Sequence, residues 1–295
     1  MLEYERGHLG VENKVIGLIH PGEMGGAVGA ALTSIGRQVL WASSGRSDET
    51  KARALAANLK DVSDLDELAK SSDLIISIVP PHGAVDMARQ MAGKTKLYVD
   101  ANALSPQTAI EIEKILNEKG TELVDGGIVG PPPTKSGVTR LYLSGNKANE
   151  ISGLFEGSLV EAPVLTGGAG AASGLKMCYG GWTKGSDALL LALLTTARHL
   201  GVEEALRSEW SRSKPELTDR LYGAGWAAGR KGWRWVGEME EIAKTMKGAG
   251  MPGGFHLSAA DIFERSLHDP KAGKDEKSLG EIIKSLLTNK SKRNI

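Results

Sequence analysis

The stretch Val15-Ile-Gly-Leu-Ile-His-Pro-Gly-Glu-Met-Gly-Gly-Ala-Val-Gly29 decides the fold. It joins a β-rich apolar run, Lys14 to Ile19, to a small-residue run of helical composition, Gly25 to Ile35. A loop that presents its backbone to a pyrophosphate needs glycine at three places: where the chain turns, where backbone meets phosphate, and where helix packs on strand. Gly22 and Gly25 hold the second and third places, and His20 stands at the first. The helix N-terminus then offers free backbone N–H groups and a positive dipole end to the phosphates. An incomplete glycine pattern also fits an ordinary tight turn. Its place, after the first strand and before the first helix, is what points to a dinucleotide. His20 reads as a turn residue rather than a catalyst.

Working outward, β-rich and helical runs alternate up to about Gly168. Gln38 to Ala42, Asp73 to Val79, Lys96 to Val99, Glu122 to Val124 and Leu141 to Leu143 read as strands. Glu49 to Asn58, Leu65 to Lys70, Gly83 to Met91 and Pro106 to Lys119 read as helices, with Ser105-Pro106 a cap followed by proline. Near-continuous apolar strands between helices indicate a parallel sheet covered on both faces. After Gly168 the strand signals stop, and Ala169 to Leu200 reads as one long helix. Within it, Ala188 to Leu194 reads as a segment buried on all sides. His268 to Lys277 reads as a charged loop. Leu279, Ile282, Ile283, Leu286 and Leu287 give the last helix one apolar face. The expected fold is α/β: a Rossmann-type doubly wound parallel sheet over 13–168, then an all-α domain over 169–295.

The second strand should end near the adenine ribose, and the sequence there is Trp41-Ala-Ser-Ser-Gly-Arg-Ser47. An acidic residue at that place would accept from the 2′-hydroxyl of NAD, whereas the 2′-phosphate of NADP needs small polar groups and a cation. Arg46 supplies a forked cation, with Ser43, Ser44 or Ser47 beside it. NADP is therefore expected ahead of NAD, the competing reading being that Arg46 is a solvated surface charge.

The 295 residues carry 36 basic and 36 acidic side chains, so no net charge draws the chain to nucleic acid or an anionic membrane. The longest apolar run falls far short of the roughly 20 residues of a membrane span. The start, Met1 to Lys14, is polar and lacks the apolar core of a signal peptide. A single cysteine, Cys178, allows no internal disulfide, which favours a reducing, cytoplasmic setting. The histidines show no metal-ligand spacing, so no metal is expected.

With these motifs in order, the chain resembles the β-hydroxyacid dehydrogenase superfamily, which includes 6-phosphogluconate and 3-hydroxyisobutyrate dehydrogenases. Ile16-Gly-Leu-Ile-His-Pro-Gly-Glu-Met-Gly25 looks like its opening loop. Val99-Asp-Ala-Asn-Ala-Leu-Ser-Pro106 looks like its strand and loop beside the nicotinamide. Val124-Asp-Gly-Gly-Ile-Val-Gly-Pro131 looks like its substrate-contacting strand end, and Gly170-Ala-Ala-Ser-Gly-Leu-Lys-Met177 like its catalytic-lysine helix. Gly232-Trp-Arg-Trp-Val-Gly-Glu-Met-Glu-Glu-Ile242 resembles a subgroup with a distinctive helical C-terminal domain. Three departures stand out: Gly180 replaces an asparagine, Val129-Gly130-Pro131 replaces serine-glycine-glycine, and Thr183 replaces the glutamate of the phosphogluconate enzymes.

The resemblance implies hydride transfer between a nicotinamide and a small hydroxy or carbonyl compound, with Lys176 as the acid/base across the domain cleft. It implies cofactor contacts from Gly22, Glu23, Met24, Gly25, Ser43, Ser44, Arg46, Val79, Pro80 and Asn102. It implies substrate contacts from Ser105, Gly127, Gly130, Tyr179 and Lys184. Several of these residues have plainer readings: a surface charge for Lys184, a turn for Asn102, a flexible strand exit for Gly127 and Gly130. Glu238, Glu240 and Glu241 read as salt-bridge or capping residues. Trp182, Trp226, Trp233 and Trp235 read as core or subunit interface, and a homodimer is expected. Two other functions remain open at this point: an imine reductase-like enzyme, against which the retained Lys176 counts, and an NADP(H)-sensing protein without turnover.

Overall fold

The computed structural model describes residues 14–291 and 293. The polar opening expected before Lys14, and the expected domain start at residue 13, lie outside the described residues. The contacts divide the chain into two units, one ending at Met177 and the other beginning at Cys178.

The first unit alternates strand and helix. Its elements are β1 (Ile16–Ile19), α1 (Glu23–Thr33), β2 (Val39–Trp41), α2 (Asp48–Ala56), β3 (Lys60–Asp61), α3 (Leu65–Lys70), β4 (Leu74–Ser77), α4 (Pro81–Met91), β5 (Leu97–Asp100) and α5 (Pro106–Asn117). Then come β6 (Glu122–Val129), β7 (Thr139–Ser144), α6 (Ala148–Leu154), β8 (Val160–Glu161) and the start of α7 (Ala171–His199). Among the described residues the strands form one eight-stranded sheet in the order β3-β2-β1-β4-β5-β6-β7-β8. Consecutive side chains of a strand point to opposite faces, and both faces here are apolar. Ile16, Leu18, Leu74, Ile76 and Val99 enter one core layer, while Ile19, Ile75 and Tyr98 enter the other. Each such side chain contributes about 1.5–3 kcal/mol on burial, and that two-sided demand fixes a covered parallel sheet.

The strand order reverses direction of growth beside β1, with β2 on one side and β4 on the other. Ligands of open α/β sheets collect at the carboxyl ends of the strands around that point. Two details depart from the sequence reading. β7 runs antiparallel to β6, and β6 continues through Gly126 and Gly127 to Val129 instead of ending at Val124. The glycines lowered the apparent strand propensity, but pairing with β7 carries the strand through them. The two-residue strands β3 and β8 and the short helix α6 were not anticipated, because so few residues leave no periodicity to read.

The second unit continues α7 and adds α8 (Glu203–Ser213), α9 (Glu216–Gly248), α10 (Gly254–Arg265) and α11 (Glu276–Thr288). It is helical throughout its described elements, as expected. In α11, Leu279, Ile282, Ile283 and Leu286 are buried, and Asp275 caps the helix by accepting from Ser278 N. Ala188 to Leu194 is not buried on all sides. Leu189 and Leu193 are 59% and 47% exposed, because an apolar run does not fix how much of a helix its neighbours cover. No helix among the described residues is long and apolar enough to cross a membrane.

The expected domain boundary at 168 preceded the long helix, whereas the observed division falls inside it, after Met177. The first turns of α7 are bound to β6 and β7 through Asp125 and Ser144.

Candidate functional site

At the end of β1 the chain turns at His20, whose φ of 63° is left-handed. A non-glycine residue costs roughly 1–2 kcal/mol there, which is why glycine would suit that place. Gly22 N–H donates to His20 O at 2.7 Å, closing the turn. Gly22 then caps α1 in extended backbone and brings no side chain to the first-turn N–H groups. A Cβ on Gly25 would stand 2.5 Å from the carbonyl oxygen of His20, so only glycine lets α1 start this close to β1. The close packing of helix on strand is the role expected of Gly25. The bare, glycine-lined helix opening fits a pyrophosphate. Glu23 lies in the first turn, and Met24 packs against the core.

At the end of β2 a cavity of about 320 Å³ is lined by Ala42, Ser44, Arg46, Asp64, Leu65, Asp66, Gln90, Met91 and Lys94. Ser44 and Arg46 therefore line the same cavity. Ser47 does not join them: its hydroxyl caps α2, accepting from Thr50 N at 3.3 Å. Ser43 also has a structural bond, its N–H donating to Asp61 Oδ1 at 3.2 Å. Asp61, on the neighbouring strand β3, was missed, because a carboxylate was sought only along β2 itself. Burial pushes its carboxyl upward, but hydrogen bonds from Ser43 and Ser63 outweigh that and hold it below its ordinary range.

The ends of β4 and β5 are clamped together by Asn102. Its Oδ1 accepts from Val79 N at 2.6 Å, and its Nδ2 donates to Asp100 Oδ2 at 2.9 Å. Asn102 is 3% exposed, and its side chain is bonded within the protein. Pro80 caps α4, which starts at Pro81, earlier than the expected Gly83. Ser105, expected at the substrate, is fully buried. Its hydroxyl caps α5, accepting from Thr108 N at 3.2 Å, as the Ser-Pro pair foretold.

The end of β6 lies close against the start of α7. A Cβ on Gly127 would lie 2.7 Å from Ala172 O and 2.9 Å from Lys176 Cβ. Gly127 is thus no flexible exit: its missing side chain lets the first turns of α7 lie against the sheet with Lys176 beside the strand. Gly130 has φ 109° and faces Val138 O where β6 leaves toward β7, a backbone requirement. Two buried carboxylates flank this region, Asp125 and Asp100, at 1% and 2% exposure. Asp125 Oδ2 accepts from Gly170 N at 2.9 Å and Ser173 N at 3.0 Å. Burial raises Asp100 most, the Asp125 carboxylate raises it further, and hydrogen bonds from Asn102 oppose both, leaving a pKa of about 7. The signal for both residues was present in the sequence: an aspartate closing an apolar strand run, Tyr98-Val-Asp100 and Leu123-Val-Asp125, must find partners when buried.

In the second unit, Lys184 Nζ pairs with Glu238 Oε1 and lies 5.3 Å from the Trp235 ring. Lys184 is therefore a paired, mostly buried cation rather than a surface charge. Glu240 likewise pairs with Arg293. A Cβ on Gly180 would meet Glu238 Oε1 at 3.2 Å and Ile242 Cδ1 at 3.4 Å. The departure at Gly180 thus has a packing reason, since the carboxylate of α9 fills the space over it. Tyr179 is 47% exposed and Trp182 is 71% exposed.

Comparison with known proteins agrees with this geometry. Residues 15–152 match the family described as the NAD binding domain of 6-phosphogluconate dehydrogenase, and the first unit is a Rossmann-type domain of that class. Residues 197–266 match a domain of unknown function, DUF1932. The chain thus carries an NAD-binding domain of the 6-phosphogluconate dehydrogenase type and a DUF1932 domain, and is similar to 3-hydroxyacid dehydrogenases.

An uncharacterized 28.5 kDa protein in the 7S RNA 5′ region of Methanothermus fervidus is 35% identical over 163 residues, 55% of this chain and 62% of that one. The mitochondrial 3-hydroxyisobutyrate dehydrogenase of Drosophila melanogaster is 25% identical over 146 residues, 47% of this chain and 44% of that one. The chain thus matches less than two thirds of the length of these relatives. A solved conserved protein of unknown function, described as structurally similar to 3-hydroxyacid dehydrogenases, aligns with TM-score 0.64 and 27% identity. That alignment covers 85% of this chain and 96% of the other.

Proposed function

We propose that the protein is an NADP-dependent oxidoreductase that moves hydride between nicotinamide and a small hydroxy or carbonyl compound, with Lys176 as the acid/base. The observation that carries this reading is the contact at Gly127, where the absence of a side chain seats Lys176 against the carboxyl end of β6. Bound there, the nicotinamide would supply or accept the hydride. The protein's own work is to hold the pyrophosphate on the backbone of Gly22 to Gly25, to hold the 2′-phosphate with Arg46 and Ser44, and to move one proton. As an ammonium, Lys176 donates that proton to the substrate oxygen during reduction; as a neutral amine it takes the proton back during oxidation.

Arg46 favours NADP because its guanidinium pairs with phosphate in a forked, charge-assisted geometry. Asp64 in the same cavity is committed elsewhere, its Oδ1 accepting from Glu67 N at 2.9 Å. Fluorescence titration with NADPH and NADH tests the preference. Arg46→Ala should weaken NADPH alone, by roughly 1–3 kcal/mol for a charge-assisted pair. Tighter binding of NADH by the unaltered protein would overturn it. Lys176→Ala should lower turnover by about 10²–10⁴-fold with NADPH affinity kept. Full activity in that variant would remove the acid/base role, and binding without turnover across a panel of carbonyl and hydroxy compounds would leave a cofactor-sensing protein.

The same reading includes a homodimer. Trp182, Leu189 and Leu193 form an exposed apolar stripe at helical spacing along α7, of the kind subunit interfaces cover. Light scattering showing a monomer at working concentration would dismiss it. An unpaired Cys178 suits a reducing, cytoplasmic compartment.

A further inference from the structure

We infer that Asp125 is the positioning residue for Lys176, and that Asp100 positions the cofactor wall at Val79 through Asn102. The inference rests on the reading of Lys176 given above and extends it to two residues that touch neither substrate nor cofactor.

The start of α7 is held by side chains of β6 and β7 as well as by the Ala171 N–H bond to Gly168 O. Asp125 Oδ2 accepts from the N–H groups of Gly170 and Ser173, and Asp125 Oδ1 accepts from Ser173 Oγ at 2.5 Å. The hydroxyl of Ser144, on β7, accepts from Ala172 N at 3.1 Å and stands 3.1 Å from Asp125 Oδ2. Three consecutive-turn N–H donors that a helix end normally leaves open are thus taken by side chains of the sheet. A local cap would satisfy the same donors without fixing where the helix lies. A carboxylate rooted in β6 fixes both, and Lys176 follows Ser173 by one helical turn.

Asp100 is the register partner of Asp125 on β5 and faces the other way in function. Its Oδ1 accepts from Asn102 N at 3.0 Å and its Oδ2 from Asn102 Nδ2 at 2.9 Å. Those two bonds set which end of the Asn102 amide points at Val79, so that Oδ1 receives the Val79 N–H. An amide at position 100 has only one acceptor oxygen for the two Asn102 donors. One of them then meets an NH2 group, and the simplest relief is a flip of Asn102 that sets donor against donor at Val79. The two carboxylates therefore divide the site between them, one for the lysine helix and one for the cofactor wall.

The division gives a test that a merely structural role would not pass. Asp125→Asn and Asp100→Asn are compared with the unaltered protein by NADPH titration. The same proteins are treated with an amine-acylating reagent over a range of pH, followed by peptide mapping of Lys176. Asp125→Asn should change the labelling rate of Lys176 by about tenfold, as expected for a group moved by a fraction of an ångström, with NADPH affinity unchanged. Asp100→Asn should weaken NADPH by a similar factor and leave Lys176 labelling alone. Loss of both properties together in either variant, in proportion to lost stability, would overturn the inference, as would no change in either. Should Asp125→Asn not fold, Ser173→Ala removes only the hydroxyl bond to Asp125 and should move Lys176 labelling in the same direction; unchanged labelling there also overturns it. Retained turnover in Lys176→Ala counts against the acid/base reading alone, because the labelling still reports whether Asp125 places that amine.

Discussion

Gly127 and Lys176 stand so close that a Cβ on the first would lie 2.9 Å from the Cβ of the second. The nearest backbone atom, Ala172 O, would be closer still at 2.7 Å, and it belongs to a helix that cannot yield locally. Gly127→Ala should therefore push the start of α7 away from β6. Overpacking of this kind costs about 1–3 kcal/mol, measurable by urea denaturation. A displacement of about 1 Å in a reacting group costs on the order of 10²-fold in rate. Turnover should thus fall much further than stability. Normal turnover in a stably folded variant would detach Lys176 from the chemistry.

Asp100 gives a pH signature. Its pKa of about 7 lies above the ordinary 3.8, so between these values the folded protein holds a proton that the unfolded chain has released. The stability this provides is complete below the unfolded pKa and is lost as pH rises through about 7, with a slope of at most roughly 1.4 kcal/mol per pH unit. Asp100→Asn cannot titrate. The stability advantage of the natural protein over this variant should shrink between pH 5 and pH 8, by urea denaturation at both. An advantage that stays constant, or grows, contradicts the assignment.

Ser105 separates capping from substrate recognition. Ser105→Ala removes the acceptor for Thr108 N and should cost about 1 kcal/mol, the usual loss at an N-cap. NADPH affinity and turnover should be unchanged, since the hydroxyl is fully buried. A loss of substrate affinity without loss of stability would return Ser105 to the site.

Lys184 and Glu238 are 16% and 9% exposed at their side chains. Glu238→Gln removes the carboxylate paired with Lys184 and should lower stability by roughly 3 kcal/mol, as breaking a buried pair does. Lys184→Met together with Glu238→Leu should recover much of that loss, because removing both charges removes the desolvation cost with them. Thermal melts of the single and double variants give the coupling directly, and strictly additive losses would argue against a pair.

The alternation of strand and helix, the glycine loop and the long helix were all legible in the sequence, because each rests on a local period or a local turn requirement. The first strand and helix, α3, the Ser105 cap and the buried face of α11 follow from nearest neighbours along the chain. The antiparallel β7 and the passage of β6 through Gly126-Gly127 did not, since strand partners are set across the sheet. The same limit explains the residues missed. Asp61 acts on β2 from β3, and Asp125 acts on α7 across 45 and 48 positions of chain. Burial of Ala188 to Leu194 was overread because an apolar run shows that a helix avoids water, not how much of its circumference its neighbours cover.

By itself, then, the order of residues settled the class of domain and the place of its dinucleotide loop: glycine, proline and alternating apolar side chains constrain backbone torsions and burial within a few residues. Only the tertiary structure decided what each candidate side chain does. Asn102 and Ser105 became internal clamps, Lys184 an ion-paired cation, and Gly127 the seat of Lys176. Those outcomes depend on which atoms from distant segments arrive within hydrogen-bond or van der Waals distance, and that is a property of packed layers rather than of sequence spacing.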